Sequence, residues 1–282
     1  MSAKLAQAVG RNPRVLFGGA VLLTIVALAA LAQWLVPHDP LEQDLINTLL
    51  PPAWLGGQHG FPFGTDSLGR DILSRLIYGA RVALTVAVVA AMLAGLLGSV
   101  LGLLAGYFGG WIDTLISRIV DVWMSFPAVL LSIVLAAVLG AGLYTVIVAI
   151  VVIDWTRFCR VVRSEVLIQR EQDYVASAVT IGLKPGRILF GVVLPNVAPL
   201  LLTLFTLEMG IAIVVEAILS FVGLSVSSGA ATWGGMIAEG RQYVNQAWWL
   251  MALPMLCVIV AVIGMNALGD GLRDVLDPVR AR

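Results

Sequence analysis

Charge is scarce in this chain. Only 12% of its 282 residues are Asp, Glu, Lys or Arg, about half the roughly 25% of a typical soluble domain. Lysine is nearly absent. Lys4 and Lys184 are the only two and neither follows a glycine, so the chain has no Gly-Lys step for a phosphate-binding loop. No Gly-x-Ser-x-Gly elbow and no His-Glu-x-x-His pair occurs. His38 and His59 have no second ligand at motif spacing, which argues against a metal site. Cys159 and Cys257 lie in apolar surroundings without CxxC spacing and read as small core residues. These gaps leave no catalytic constellation and no cofactor or metal set on this chain. If ATP drives it, ATP and Mg are bound by another chain.

What is present is apolar. Hydrophobic residues make up 60% of the sequence and the mean hydropathy is +0.97. A soluble globule could not bury that much and keep a polar surface, and disordered chains are poor in such residues. Basic and acidic residues number 17 each, so no net field draws the chain to nucleic acid. The composition reads as a polytopic membrane protein.

A bilayer core of roughly 30 Å needs about 20 apolar helical residues. Six segments are expected to supply them: 15–36, 82–107, 124–139, 143–153, 197–222 and 248–268. They do not alternate as barrel strands would. Lys4, Arg11 and Arg14 ahead of the first run resemble a signal peptide. Its 22 apolar residues exceed the usual signal core of roughly 7–15, so an uncleaved helix is expected. Six spans put both termini on one side. With the N-terminus inside, interior segments hold 13 of the basic residues and exterior ones four, Arg70, Arg75, Arg81 and Arg241. That bias places both ends in the cytoplasm. The chain then divides into a cytoplasmic segment 1–14, a first helix 15–36, an external segment 37–81, a five-helix core 82–269 and a cytoplasmic tail 270–282.

Within this frame Gly98, Gly102, Gly106 and Gly110 recur every fourth residue, a pattern for close helix contact in lipid. In the external segment, Thr65 or Asp66 is expected to cap a helix carrying Leu68, Ile72, Arg75 and Leu76, with Asp71 paired to Arg75. A second external segment, 223–247, is rich in Gly and Ser and ends in Trp248-Trp249, aromatic anchors for the interface. Ionisable residues inside spans are costly. Asp154 is expected to pair with Arg157. Glu208 and Glu216, eight residues apart, share roughly one helix face and are candidates for a translocation path. No basic partner stands out for them at mid-depth, which disfavours a proton relay.

The interior segment 158–195 carries six of the basic residues if Arg157 at its entrance is counted. Glu171-Gln172-Asp173-Tyr174 reads as a helix start with acids at the positive dipole end. A short helix with small Ala176, Ser177 and Ala178 follows, and Gly182 can end it in the left-handed conformation. Pro185 suits a new first turn. Such a helix, held at a membrane surface, suits insertion into a partner's groove.

Gly182, nine intervening residues and Val192-Val193-Leu194-Pro195 resemble the EAA loop of ABC importer permeases, E-A-A-x3-G-x9-I-x-L-P. The acidic place falls on Ala176, the two alanines on Ser177 and Ala178, and Val192 replaces isoleucine. Gly64-Thr65-Asp66-Ser67-Leu68-Gly69-Arg70-Asp71, Leu219-Ser220-Phe221-Val222-Gly223-Leu224, Trp233-Gly234-Gly235-Met236 and Asn266-Ala267-Leu268-Gly269-Asp270-Gly271-Leu272 are similar to segments of the dipeptide/oligopeptide (and nickel) permeases, C-type subunit. The resemblance implies an all-α type I importer permease with six transmembrane helices, sitting in a bacterial inner membrane. A B-type permease would complete a heterodimer, two ATPases would dock on the loop, and an external solute-binding protein would deliver cargo. Carried over by position, Asp173, Tyr174, Ala176, Ser177, Ala178, Gly182, Leu194 and Pro195 would form the ATPase dock. Di- or oligopeptides are the leading cargo, with nickel or metal chelates and glutathione moved by the same family. A proton-coupled carrier or a scaffold would be the alternatives of another class.

Overall fold

The computed structural model describes residues 10, 12–225 and 230–276. Lys4, Arg11, Arg280 and Arg282 of the charge count lie outside the described residues. So do most of segment 1–14 and the last six residues of the expected tail.

Every regular element among the described residues is helical. They are α1 (Pro13–Ala30), α2 (Ala32–Leu35), α3 (Ile72–Phe108), α4 (Gly110–Met124), α5 (Ala128–Leu139), α6 (Leu143–Arg170), α7 (Asp173–Thr180), α8 (Pro185–Ile188), α9 (Leu194–Phe221), α10 (Trp233–Gln242) and α11 (Trp249–Leu276). A single 3-10 turn, Ala53–Leu55, interrupts the long segment after α2, and a π-turn, Leu189–Val193, joins α8 to α9. Asn12 starts α1 by accepting from the amides of Arg14 and Val15, with Pro13 at the first helical position where its missing N–H costs nothing.

All six expected spans coincide with helix, but two have a different form. The third is broken: α4 and α5 meet at 84°. Pro127 disfavours helix at Phe126, and the chain turns there. The fourth continues beyond residue 153 to Arg170, a length of about 42 Å at 1.5 Å per residue. By length and composition α1, α3, α11 and the continuous stretch ending in α9 can each cross a bilayer, with α4–α5 a fifth if the bent pair counts as one. α6 falls outside that group because Asp154, Arg157 and Arg160 lie in its first 18 residues. It is nonetheless seated along α3.

That seam explains three of the four spaced glycines. A Cβ on Gly98 would fall 2.2 Å from the Trp155 carbonyl oxygen, one on Gly102 2.7 Å from that of Cys159, and one on Gly106 2.8 Å from Val166 Cβ. Small residues here let two backbones touch where lipid offers no hydrophobic drive. Gly110 lies outside the seam. With Gly109 it adopts positive φ, +57° and +66°, and turns the chain from α3 into α4. Gly18 and Gly264 make a second close approach, α1 against α11. The main core gathers Val86, Ala90, Val146, Ile150, Met209, Ile213 and Met265 from α3, α6, α9 and α11. A smaller one, at the α7 end, gathers Leu103, Val162, Val166, Val175, Ala178, Ile188, Leu189, Val193 and Val197.

Candidate functional site

α7 is eight residues long and sits between α6 and the turns that open α9. It is held from beneath: Val175 and Ala178 are buried and pack into the smaller core. The expected Gly182 stop is present, at φ +80°. The Gly182 amide donates to the Val179 carbonyl at 2.9 Å and the Leu183 amide to the Ala178 carbonyl at 3.1 Å, the paired bonds of a Schellman motif. The opposite face is exposed. Asp173, Tyr174, Ala176 and Ser177 lie on it, with Val179 at 59% and Ile181 at 75% exposure. Ser177 Oγ donates to the Asp173 carbonyl and Thr180 Oγ1 to the Ala176 carbonyl. The hydroxyls are thus folded onto their own helix, leaving methyl groups outermost.

Ala178 therefore faces inward, away from any partner, and Leu194 is half-buried, while Pro195 is exposed in the first turn of α9. Beside the exposed face a groove of about 330 Å3 is lined by Tyr107, Phe108, Arg170, Val175, Ala176, Val179 and Pro185. Arg170 Nη1 donates to the Tyr107 carbonyl at 3.0 Å, tying the end of α6 to the end of α3. Tyr174 donates to Gln169 Oε1. Burial and then the Glu165 carboxylate push its phenol upward, so it stays a neutral donor at neutral pH.

Midway along the bundle, Arg157 Nη2 is 3.8 Å from Asp154 Oδ1 and its Nη1 is 3.6 Å from Glu208 Oε2. The expected Asp154–Arg157 contact is present, though longer than a hydrogen bond. Glu208 does have a basic neighbour, which corrects the expectation of none: α6 runs past residue 153 as helix and carries Arg157 to α9. Glu208 and Glu216 are each 1% exposed and have separate surroundings. Glu216 accepts from Ser220 Oγ at 2.6 Å and, more weakly, from Ser225 Oγ at 3.4 Å. It braces the turn after α9, where Gly223 at φ +81° closes a second Schellman motif.

At the far end α3 begins at Ile72, so Leu68 is not on its face. Asp71, rather than Thr65 or Asp66, is the N-cap, accepting from the Ser74 amide at 2.9 Å and from its hydroxyl at 2.5 Å. Arg75 is consequently not paired with Asp71. It approaches Asp66 at 3.4 Å and Glu239 at 3.8 Å. Arg70 donates to Asp66 at 2.6 Å and to Glu239 at 3.0 Å, and Ser67 Oγ donates to Glu239 Oε1 at 2.5 Å. Glu239 on α10 thus locks the segment before α3 to the helix bundle. Trp233 Nε1 donates to the Leu76 carbonyl at 3.0 Å, across Gly79, where a Cβ would meet the indole at 2.5 Å. No local spacing signals contacts between residues about 160 apart in sequence. Among the described residues no group of three or more His, Cys, Asp and Glu is placed to hold a metal ion.

Comparison with known proteins gives these three regions a common setting. Residues 98–282 match the family model of the binding-protein-dependent transport system inner membrane component. Residues 9–52 match that of the N-terminal TM domain of oligopeptide transport permease C. The chain is 40% identical to a di/tripeptide transport system permease of Pseudomonas aeruginosa, covering 96% of this chain and 90% of that one. It is 39% identical to a dipeptide transport system permease of Escherichia coli, covering 95% and 90%. In fold it is similar to a chain of an inward-facing MetNI methionine ABC transporter, with a TM-score of 0.61 at 21% identity over 73% of this chain and 98% of that one. The chain, a multi-pass membrane protein without catalytic machinery of its own, belongs to the binding-protein-dependent ABC importer permeases, the inner-membrane components of such transport systems.

Proposed function

We propose that this chain is the C-type permease of an ATP-driven importer of di- and tripeptides. It would pair with a B-type permease, take force from two cytoplasmic ATPases and receive cargo from an external solute-binding protein. Relatives that match nearly end to end and are named as di/tripeptide and dipeptide permeases support the cargo class, and the asymmetry of 13 interior to four exterior basic residues supports cytoplasmic termini. The observation that carries the mechanism is α7: a short helix anchored from beneath, stopped at Gly182, with an outer face where Val179 and Ile181 are exposed and the Ser177 and Thr180 hydroxyls are folded back. ATPase closure would press on this face. Through Val175 and Ala178 the displacement would reach α3, α6 and α9, and the central path would alternate its opening, a shift between two arrangements. Glu208 would serve that path from behind its wall by holding Arg157, and Glu216 would brace the turn after α9.

The dock is tested on exposed residues, since Ala178→Glu would disturb the core instead. In cells that also carry the partner subunits, Val179→Glu and Ile181→Glu are each expected to abolish labelled dipeptide uptake. Co-purification of the ATPases should fall at least tenfold, with thermal stability of the permease unchanged. Normal association and uptake in both variants would remove the docking role. Uptake of nickel chelates or glutathione in place of dipeptides would change the cargo and leave the dock standing.

A further inference from the structure

From Asp121 to Leu130 every residue but Trp123 is exposed, and this stretch holds the 84° break between α4 and α5. Trp123 fixes its depth, since Nε1 of that indole donates to the Val152 carbonyl at 2.5 Å. Gly98 of α3 lies against Trp155 and Gly102 against Cys159. Val152, about one helical turn before Trp155, therefore stands level with the middle of the apolar run 82–107. The chain turns within the bilayer and not at its surface.

Turning there leaves backbone groups without partners. α5 starts after Pro127 with no side-chain cap. Among the described residues the Ala128, Val129 and Leu130 amides have no acceptor, and the Met124, Ser125 and Phe126 carbonyls have no donor. The first bond past the break runs from the Leu131 amide to the Pro127 carbonyl at 3.0 Å. Lipid cannot satisfy such groups, so irregular backbone at this depth is stable only when buried in protein or set along a water-filled cavity. The side chains decide between the two. Val122, Met124, Phe126, Val129 and Leu130 form an apolar collar, with Phe126 56% and Leu130 61% exposed. Ser125 carries the one hydroxyl from 122 to 130, and it donates to the Val122 carbonyl at 2.6 Å. A lining for water would carry free polar side chains. This face calls for protein.

We infer that the break between α4 and α5 is the surface on which the second permease chain of the importer packs. The face is self-complementary, because free carbonyls stand a few residues from free amides. A chain of the same fold brings the same break to the same depth, and chains related by a twofold axis meet through equivalent faces. The amides of one would reach the carbonyls of the other, and the two collars would keep lipid from both. The inference rests on the importer reading above, which supplies the second permease, and names the surface that chain covers.

The test is photo-crosslinking in cells that carry all the subunits. Phe126→p-benzoylphenylalanine is expected to give, under ultraviolet light, one adduct with the summed mass of the two permeases. Its tryptic peptides should identify the partner permease, and the adduct should vanish when that partner is deleted. An adduct with a second copy of this chain, or with lipid alone, would overturn the surface. Phe126→Cys, with Cys159→Ala and Cys257→Ala, gives an independent reading. A lipid-soluble maleimide is expected to react at least tenfold more slowly in the assembled transporter than in membranes lacking the partner permease. Equal rates would count against the surface, and so would rapid reaction of the assembled transporter with a charged, membrane-impermeant maleimide, which would place the break on a water-filled path. A partner permease that co-purifies but is never captured at Phe126 would sink the surface and leave the importer reading standing. Capture in a transporter that moves no peptide would do the reverse.

Discussion

At the α10 end, Asp66, Arg70, Arg75 and Glu239 face one another and exclude most solvent. At the α7 end, Val179, Ile181 and Phe190 face solvent, while the hydroxyls of Ser177 and Thr180 turn back onto their own backbone. Soluble surfaces place charge outside and apolar groups inside, and here each end departs from that rule in the opposite direction. The difference teaches which end is finished within the chain. The charged cluster closes over itself and joins segments about 170 residues apart, so its role is to fix the segment before α3 on the bundle. The α7 face leaves apolar surface uncovered on a rigid mount, as the dock proposed above requires.

The sharpest way to break this contrast is to open the closed end. Asp66 is 2% exposed and accepts from the Leu68 and Arg70 amides, each at 2.9 Å, as well as from the Arg70 guanidinium. Asp66→Ala leaves two buried guanidinium groups with Glu239 as their sole nearby carboxylate, and Arg75 Nε and Nη1 already lack hydrogen-bond partners. Removing one member of a buried ion pair costs about 3–5 kcal/mol. The variant is expected to lose that much, read as a fall in unfolding temperature of the purified complex together with rapid proteolysis of segment 37–71. A fall smaller than that of a surface Asp→Ala control would show the cluster to be decoration.

Sequence made the two ends legible to different degrees. α7 was readable because its signals are local: acids before a short run of small residues, then Gly182 and Pro185 at fixed offsets. Three of the four spaced glycines were readable for the same reason, since period four on a helix is one face. The charged cluster was not, because Glu239 is 169 residues from Arg70 and no local rule links them. Asp71 illustrates a conflict between local rules. Its spacing to Arg75 suits an i,i+4 pair, yet it stands just before the first helical residue, where it caps the Ser74 amide, and Arg75 turns to Asp66 and Glu239 instead. The break between α4 and α5 falls at the start of the expected span 124–139, whose apolar run reports burial in lipid and is silent on direction. Arg157 reaches Glu208 only because α6 runs on as helix past the apolar stretch.

A gentler test addresses the mount at the open end. A Cβ added at Gly182 meets nothing within 4 Å, but its φ is +80°, so Gly182→Ala carries backbone strain alone, about 1–2 kcal/mol. Gly186→Ala is the matched control, with equally open space and no positive φ. Amide hydrogen exchange across α7 is expected to rise about tenfold in Gly182→Ala, with ATPase activity then poorly coupled to uptake, and to stay unchanged in Gly186→Ala. Equal exchange in both would mean that the helix end is not rigidly stopped, and the mount would lose its part in the contrast.

The smallest effect belongs to the segment before α3 that the charged cluster holds down. Asp44 accepts from the Asn47 side-chain amide at 2.7 Å and from the Ile46 amide at 3.1 Å, and chiefly the Asn47 bond holds its carboxyl below the usual value of 3.8. A group whose pKa is lower in the folded state stabilises that state while ionised. Its contribution is present above about pH 4 and is lost as pH falls through the folded-state value. Asp44 lies against Gly69, where a Cβ would come within 1.8 Å of the Asp44 carbonyl oxygen, so loosening this turn loosens the approach to Asp66. The unfolding temperature of the wild type is expected to show a small acid-side slope that Asp44→Asn removes, with no difference between the two slopes above pH 5. Were the slope to persist in Asp44→Asn, the acid sensitivity would belong to the buried carboxylates instead, and the closed end would prove less sealed than its exposure indicates.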